Sequence, residues 1–116
     1  MAGLLDVTIT RIDARTHLAH ACGETDMDSA KELYAALEPL LVEDGSVTLD
    51  ASRLDFIDSY GLSMLLKLAL RARGRGAGFR LANPAPQVLR VMNMAGVAEI
   101  LNGDETTDRE QTAMAT

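Results

Sequence analysis

The residues whose order could do chemistry lie in one short run, Leu54-Asp55-Phe56-Ile57-Asp58-Ser59-Tyr60-Gly61-Leu62. An apolar approach enters Asp-Ser-x-Gly, and a strong helical pattern follows at once. A serine so placed sits where backbone amide hydrogens are free and the helix dipole is positive. Its hydroxyl can therefore carry a phosphate favourably. The same residues also serve as plain caps: Ser59 or Asp58 at a helix start is worth ~1 kcal/mol without any ligand. Gly61 fits a close backbone approach or an unusual dihedral equally well.

Other chemistries find little support. Gly-x-Ser-x-Gly is absent around Ser59, and no general base pairs with it, which argues against a serine nucleophile. The run Gly74-Arg75-Gly76-Ala77-Gly78 follows a helix and enters a strand, the reverse of a phosphate-cradling loop. His17, His20 and the single Cys22 lack the spacing of a structural zinc site, and one cysteine forms no internal disulfide. Cys22 is expected to be a small buried apolar residue. The histidines are expected on or near an edge strand and are given no role. We expect no cofactor, no metal and no catalytic residue.

The elements that must position Ser59 follow from periodicity. Leu5, Val7 and Ile9 alternate with Asp6, Thr8 and Thr10, and a second extended run covers Thr16 to Cys22, joined through Asp13-Ala14-Arg15 as a hairpin. Asp26 or Asp28 caps a helix carrying Ala30, Leu33, Tyr34, Leu37 and Leu41 on one face, with Pro39 near its end. Ser46 to Asp50 is a strand, and Ala51 to Asp58 connects it to the next helix. That helix carries an apolar stripe of Leu62, Leu65, Leu66, Ala69 and Leu70 and ends around Arg71, Arg73 and Gly74. Gly78 to Ala82 is a strand, Asn83-Pro84-Ala85-Pro86 breaks it, and Val88, Val91, Met92 and Ala95 mark a helix stopped by Gly96. Met27, Met64 and Met94 fit core filling as well as contact.

The 116 residues, 47% apolar and 24% charged, suit one domain that buries roughly two thirds of its unfolded surface. Residues 1–102 form that domain, and the acidic stretch 103–116 is expected to be a disordered tail. A net charge of -6 with no Trp, two Tyr and two Phe opposes nucleic-acid binding. No apolar run reaches ~18 residues and no basic leader opens the chain, so we expect a cytoplasmic protein without direct membrane insertion. Charge is polarised: residues 1–58 hold twelve acids and four bases, whereas Ser59 to Ala98 holds six bases and no acid. Such polarity orients a partner, or simply solvates the outer face of a helix through Lys67, Arg71, Arg73 and Arg75.

Taken in order, these runs resemble the STAS family, the sulfate transporter and anti-sigma factor antagonist domains. Gly23-Glu24-Thr25-Asp26 is similar to the family's Gly-Glu-(Ile/Leu)-Asp, and Val47-Thr48-Leu49-Asp50 to its third strand. Phe56-Ile57-Asp58-Ser59-Tyr60-Gly61-Leu62 is similar to its Asp-Ser-(Ser/Thr)-Gly-Leu core. Gly78-Phe79-Arg80-Leu81-Ala82-Asn83-Pro84 and Val88 to Val97 are similar to its last strand and helix. The resemblance covers about residues 5 to 102. Tyr60 departs from the small residue usual after the serine, and Thr25 from the usual aliphatic residue.

This resemblance implies an α/β fold, a small mixed β-sheet faced by helices on one side. It implies an anti-sigma factor antagonist that binds an anti-sigma factor/serine kinase of the histidine-kinase-like ATPase type. The kinase would phosphorylate Ser59, and a metal-dependent phosphatase of the PP2C-like kind would restore it. Asp26, Asp58, Ser59, Tyr60 and Gly61 would form the partner-binding surface. The alternative is a STAS subunit of an ABC-type lipid-transport complex, docking on its ATPase. A free sheet edge also leaves room for a weak homodimer.

Overall fold

The computed structural model describes residues 5–101. The expected acidic tail at 103–116 lies outside the described residues. Strands β1 (Leu5–Arg11) and β2 (Thr16–Glu24) form the hairpin, and α1 (Met27–Leu37) runs into a 3-10 turn at Glu38–Leu40. Strand β3 (Ser46–Phe56), helix α2 (Ser59–Arg75), strand β4 (Gly78–Ala82), helix α3 (Pro86–Ala95) and a short α4 (Ala98–Leu101) follow.

The four strands lie in the order β1-β2-β3-β4. β1 is antiparallel to β2, and β2, β3 and β4 are mutually parallel. Each parallel step needs a crossover, supplied first by α1 and then by α2. Both steps advance in the same direction, so right-handed crossovers place both helices on the same face. Strand alternation agrees: Ala19, Ala21, Val47, Leu49, Phe79 and Leu81 are buried under the helices. Leu33, Leu37, Leu65, Leu68, Val88, Met92 and Leu101 meet them from above. β2 is thus an interior strand beside the edge strand β1, so His17 and His20 lie near an edge, as expected, though not on one.

Three expectations need correction. Ala51 to Phe56 is strand rather than connection. A bulge opposite His20 to Cys22 shifts the pairing from Asp50 to Arg53, so the buried Ala51 and Leu54 stand three residues apart and the two-residue period is lost. Cys22 is exposed, because it points with His20 to the face of the sheet that carries no helix. Leu70 is 59% exposed; the buried side of α2 is Gly61, Leu65, Leu68, Ala69 and Ala72. The stripe is therefore centred nearer Leu68 than the sequence pattern suggested.

Polar contacts tie α2 to α1 and to the turn that follows it. Arg75 at the end of α2 donates to the Glu38 carbonyl at 3.0 Å and pairs with the Glu38 carboxylate. Lys67 lies 5.0 Å from the centre of the Tyr34 ring, across the α1–α2 seam. Gly76, left-handed at φ 72°, closes α2 by donating to the carbonyls of Ala72 and Arg73.

Candidate functional site

Parallel strands end at one edge of the sheet, so the helices that follow them begin side by side there. Asp26 caps α1: its carboxylate accepts the Ser29 amide at 2.8 Å, while its own amide donates to the Ser29 hydroxyl at 2.8 Å. Asp28 sits in the first turn and is exposed. Asp58, rather than Ser59, caps α2, and its Oδ1 accepts the Gly61 amide at 2.8 Å. Ser59 is thereby the first helical residue. It is exposed, and its hydroxyl has no hydrogen bond among the described residues.

The two helix starts are pinned together by Thr25. Its amide donates to the Phe56 carbonyl at 3.2 Å. Its hydroxyl accepts the Asp58 amide at 3.0 Å and donates to Asp58 Oδ1 at 2.7 Å. Thr25 is 4% exposed, so this hydroxyl is satisfied entirely by the neighbouring turn. Sequence reading noticed Thr25 only as a departure. A threonine placed among core positions is itself a signal, because a buried hydroxyl must find a partner.

Thr25→Val keeps the shape and removes the hydroxyl, leaving the Asp58 amide without an acceptor. We expect a loss of about 1–2 kcal/mol in urea unfolding, at the lower end for an orphaned group because Asp58 is partly accessible to water. Unchanged stability would show that the bond contributes nothing.

Gly61 is buried against Thr25, so of the five expected surface residues it serves the geometry rather than presenting itself. A Cβ there would stand 2.4 Å from Thr25 Oγ1 and 2.8 Å from Ile57 Cγ1. Asp26, Asp58, Ser59 and Tyr60 are brought to one edge, with Tyr60 51% exposed. Phe56 and Met27 are exposed beside the same turns. Asp55 is exposed, and its carbonyl accepts from Gln87 of α3 at 2.7 Å.

The Asp26 carboxyl titrates below its ordinary value, chiefly because the Ser29 amide donates to it and secondarily through the Ser29 hydroxyl. A depressed carboxyl adds stability that is present above its unfolded value of about 3.9 and is lost as pH falls through the lower folded value. Asp26→Asn should therefore cost stability at pH 6, with the gap to wild type narrowing below about pH 4. Parallel urea curves with a constant gap at both pH values would contradict this.

A phosphate on Ser59 would meet the amides of Ser59 and Tyr60 at the start of α2; neither donates within the described residues. It would also lie next to the Asp58 carboxylate. The site thus accepts the anion through its backbone while concentrating negative charge on its surface. His20 Nδ1 lies 3.4 Å from Asp50 Oδ2, but on the helix-free face of the sheet, where it cannot serve Ser59 as a base.

The family model described as "Mlab, STAS domain" matches residues 9–102. The chain belongs to the STAS domain family. Its fold matches the unphosphorylated anti-sigma factor antagonist SpoIIAA with a TM-score of 0.69 at 21% identity, over 92% of this chain and 97% of that one. It matches the phosphorylated form of the Bacillus cell fate determinant SpoIIAA with a TM-score of 0.64 at 20% identity, over 90% and 98%. A STAS-domain antisigma-factor antagonist from Rhodobacter sphaeroides matches with a TM-score of 0.56 at 24% identity, over 72% and 90%. At these identities the likeness carries the fold. No curated protein sequence matches the chain.

Proposed function

We propose that this chain is a phosphorylation-controlled protein-binding switch, an anti-sigma factor antagonist that binds its anti-sigma factor while Ser59 is unphosphorylated. The observation that carries the reading is Ser59 itself: exposed, unengaged, and first in α2 beside two capped helix starts. SpoIIAA, which shares the fold, has been solved with and without phosphate. The partner is a histidine-kinase-like ATPase with serine kinase activity, and a PP2C-like phosphatase resets the switch. Covalent chemistry at Ser59 is done to the chain rather than by it, and the chain is no enzyme. Among the described residues no helix is long and apolar enough to cross a membrane.

The surface explains the sign of the switch. Phe56, Tyr60 and Met27 offer apolar contact around the serine, and Asp26, Asp28, Asp55 and Asp58 surround them with negative charge. A partner fitting this surface brings cations at its rim and carboxylates nowhere near Ser59. Adding about -1.5 to -2 charges at Ser59 makes any nearby partner carboxylate, and any uncompensated desolvation of the phosphate, unfavourable.

The test is a pull-down from source cytosol with wild-type, Ser59→Ala and Ser59→Asp baits, read by mass spectrometry of the partners and of Ser59. Recovery of a kinase-like ATPase by the first two but not the third, with phosphate on wild-type Ser59, supports the switch. Identical partners for all three and no phosphate would sink it.

Tyr60 favours one second reading. Its ring follows the serine directly, and half its surface is available as an anchor. A STAS subunit docking on the ATPase of an ABC-type lipid-transport complex would use that anchor and need no phosphate. Recovery of a transport ATPase independent of the residue at 59 would select it.

A further inference from the structure

The sheet has two edges, and they differ in how they resist pairing. β4 is 5 residues long, carries the exposed Arg80 at its centre and stops before Asn83-Pro84. A short strand with a charge at its middle and a proline just past its end is a poor template for another strand. β1 has none of these protections. Its 7 residues, Leu5-Asp6-Val7-Thr8-Ile9-Thr10-Arg11, include no proline or glycine and run through four β-branched residues in succession. It pairs with β2 in one unbroken register, without a bulge to turn its outer side away. Among the described residues nothing pairs with that outer side.

The side chains of β1 are complementary to a copy of themselves. Ile9 stands opposite Ala19 on the helix side of the sheet yet is 40% exposed, and Ile12, just past the strand, is 59% exposed. Leu5 and Val7 are partly buried on that same side, while Asp6, Thr8 and Thr10 are exposed on the other. Asp6 and Arg11 lie towards opposite ends of the strand. A parallel neighbour of the same sequence would set like charges side by side, whereas an antiparallel one brings the Arg11 end of one copy to the Asp6 end of the other. An antiparallel register centred on Thr8 keeps all 7 residues paired. It sets Val7 against Ile9 of the second copy on one face, and Asp6 against Thr10 on the other, with the two Thr8 residues opposite each other on the axis. A slip of one residue would oppose apolar to polar side chains along the whole pair.

We propose that the outer edge of β1 is a self-association surface, on which a second copy of this chain lays its own β1 antiparallel about Thr8 and joins the two sheets into one. The contact is isologous and closes after two chains. Its two-fold axis stands perpendicular to the sheet, so both helix layers lie on one side and the two Ser59 edges point in opposite directions. Both Ser59 sites therefore stay open, and the dimer presents two of them. Pairing through one strand lies at the small end of specific interfaces, so we expect a dissociation constant of about 10–100 μM.

The test is sedimentation equilibrium of the full chain over about 5–500 μM, a range that brackets this constant. Wild type should pass from monomer to dimer. Thr8→Lys and Thr8→Glu, each at an exposed residue, set like charges opposite one another on the axis and should each weaken association about fivefold or more. An equimolar mixture of the two variants should dimerise at least as tightly as wild type, because lysine then faces glutamate. Amide hydrogen exchange needs no variant: in wild type it should slow along β1 as concentration rises through the same range. A wild type that stays monomeric throughout would overturn the proposal and leave the edge to a strand of another protein. Dimers indifferent to both substitutions, a mixture that does not recover, or exchange in β1 that ignores concentration would overturn it as well.

Discussion

Gly61→Ala should lower stability by about 3 kcal/mol, although helix propensity alone predicts a gain of about 1 kcal/mol for replacing an interior glycine. The new Cβ falls 2.4 Å from Thr25 Oγ1 and 2.9 Å from Thr25 Cβ. Thr25 cannot swing away, because its hydroxyl is engaged twice with Asp58 and its amide with Phe56. Overpacking costs about 1–3 kcal/mol, and breaking the Thr25–Asp58 pair adds about 1 more. For a domain of this size the melting temperature should drop by about 15 °C. Calorimetry decides on the sign: a melt at or above wild type removes the close approach of the two turns from the account. Thr25→Ala in the same chain relieves the nearest contact, so the two losses should be less than additive by about 1 kcal/mol or more.

The second large effect falls on binding and leaves the fold alone. Phosphate on Ser59 should weaken partner binding by more than about a hundredfold, a coupling of ~3 kcal/mol. The hydroxyl is exposed and bonded to nothing within the described residues, so modification breaks no native contact. The α2 amides and dipole favour an anion there, by about 0.3–1 kcal/mol at an exposed helix start. Thermal stability should therefore stay within a few degrees of the unmodified chain while affinity collapses. A switch that worked by unfolding would show the two falling together. Ser59→Asp reproduces only part of the charge on a shorter reach, so its effect on affinity should be smaller than that of phosphate and of the same sign.

Much of this arrangement was legible in the chain. Gly78 to Ala82 stands alone as a strand because Gly and Asn-Pro bracket it, and α3 ends where Gly96 permits the left-handed turn. Asp-Ser-x-Gly before a strong apolar period placed Ser59 at a helix start, since capping is a local property. Cap choice at each helix was settled by geometry: Asp26 over Asp28, and Asp58 over Ser59. What escaped was non-local. The bulge that lengthens β3 depends on its pairing with β2, and no period in residues 51–56 announces it. Cys22 looked buried by residue type, but burial follows from which face the helices cover. The Thr25–Asp58 pin joins residues 33 apart in sequence, and only the approach of two strand ends brings them together.

The most direct test of the central claim is a binding titration of the proposed partner, a kinase-like ATPase, against two forms of the full chain, one unmodified and one carrying phosphoserine at position 59. Both should be checked for equal thermal stability beforehand. The account predicts that the unmodified chain binds and that the phosphorylated chain, equally folded, binds more than about a hundredfold more weakly. Affinities within threefold of one another would contradict it, and would leave Ser59 as no more than the first residue of a well-capped helix.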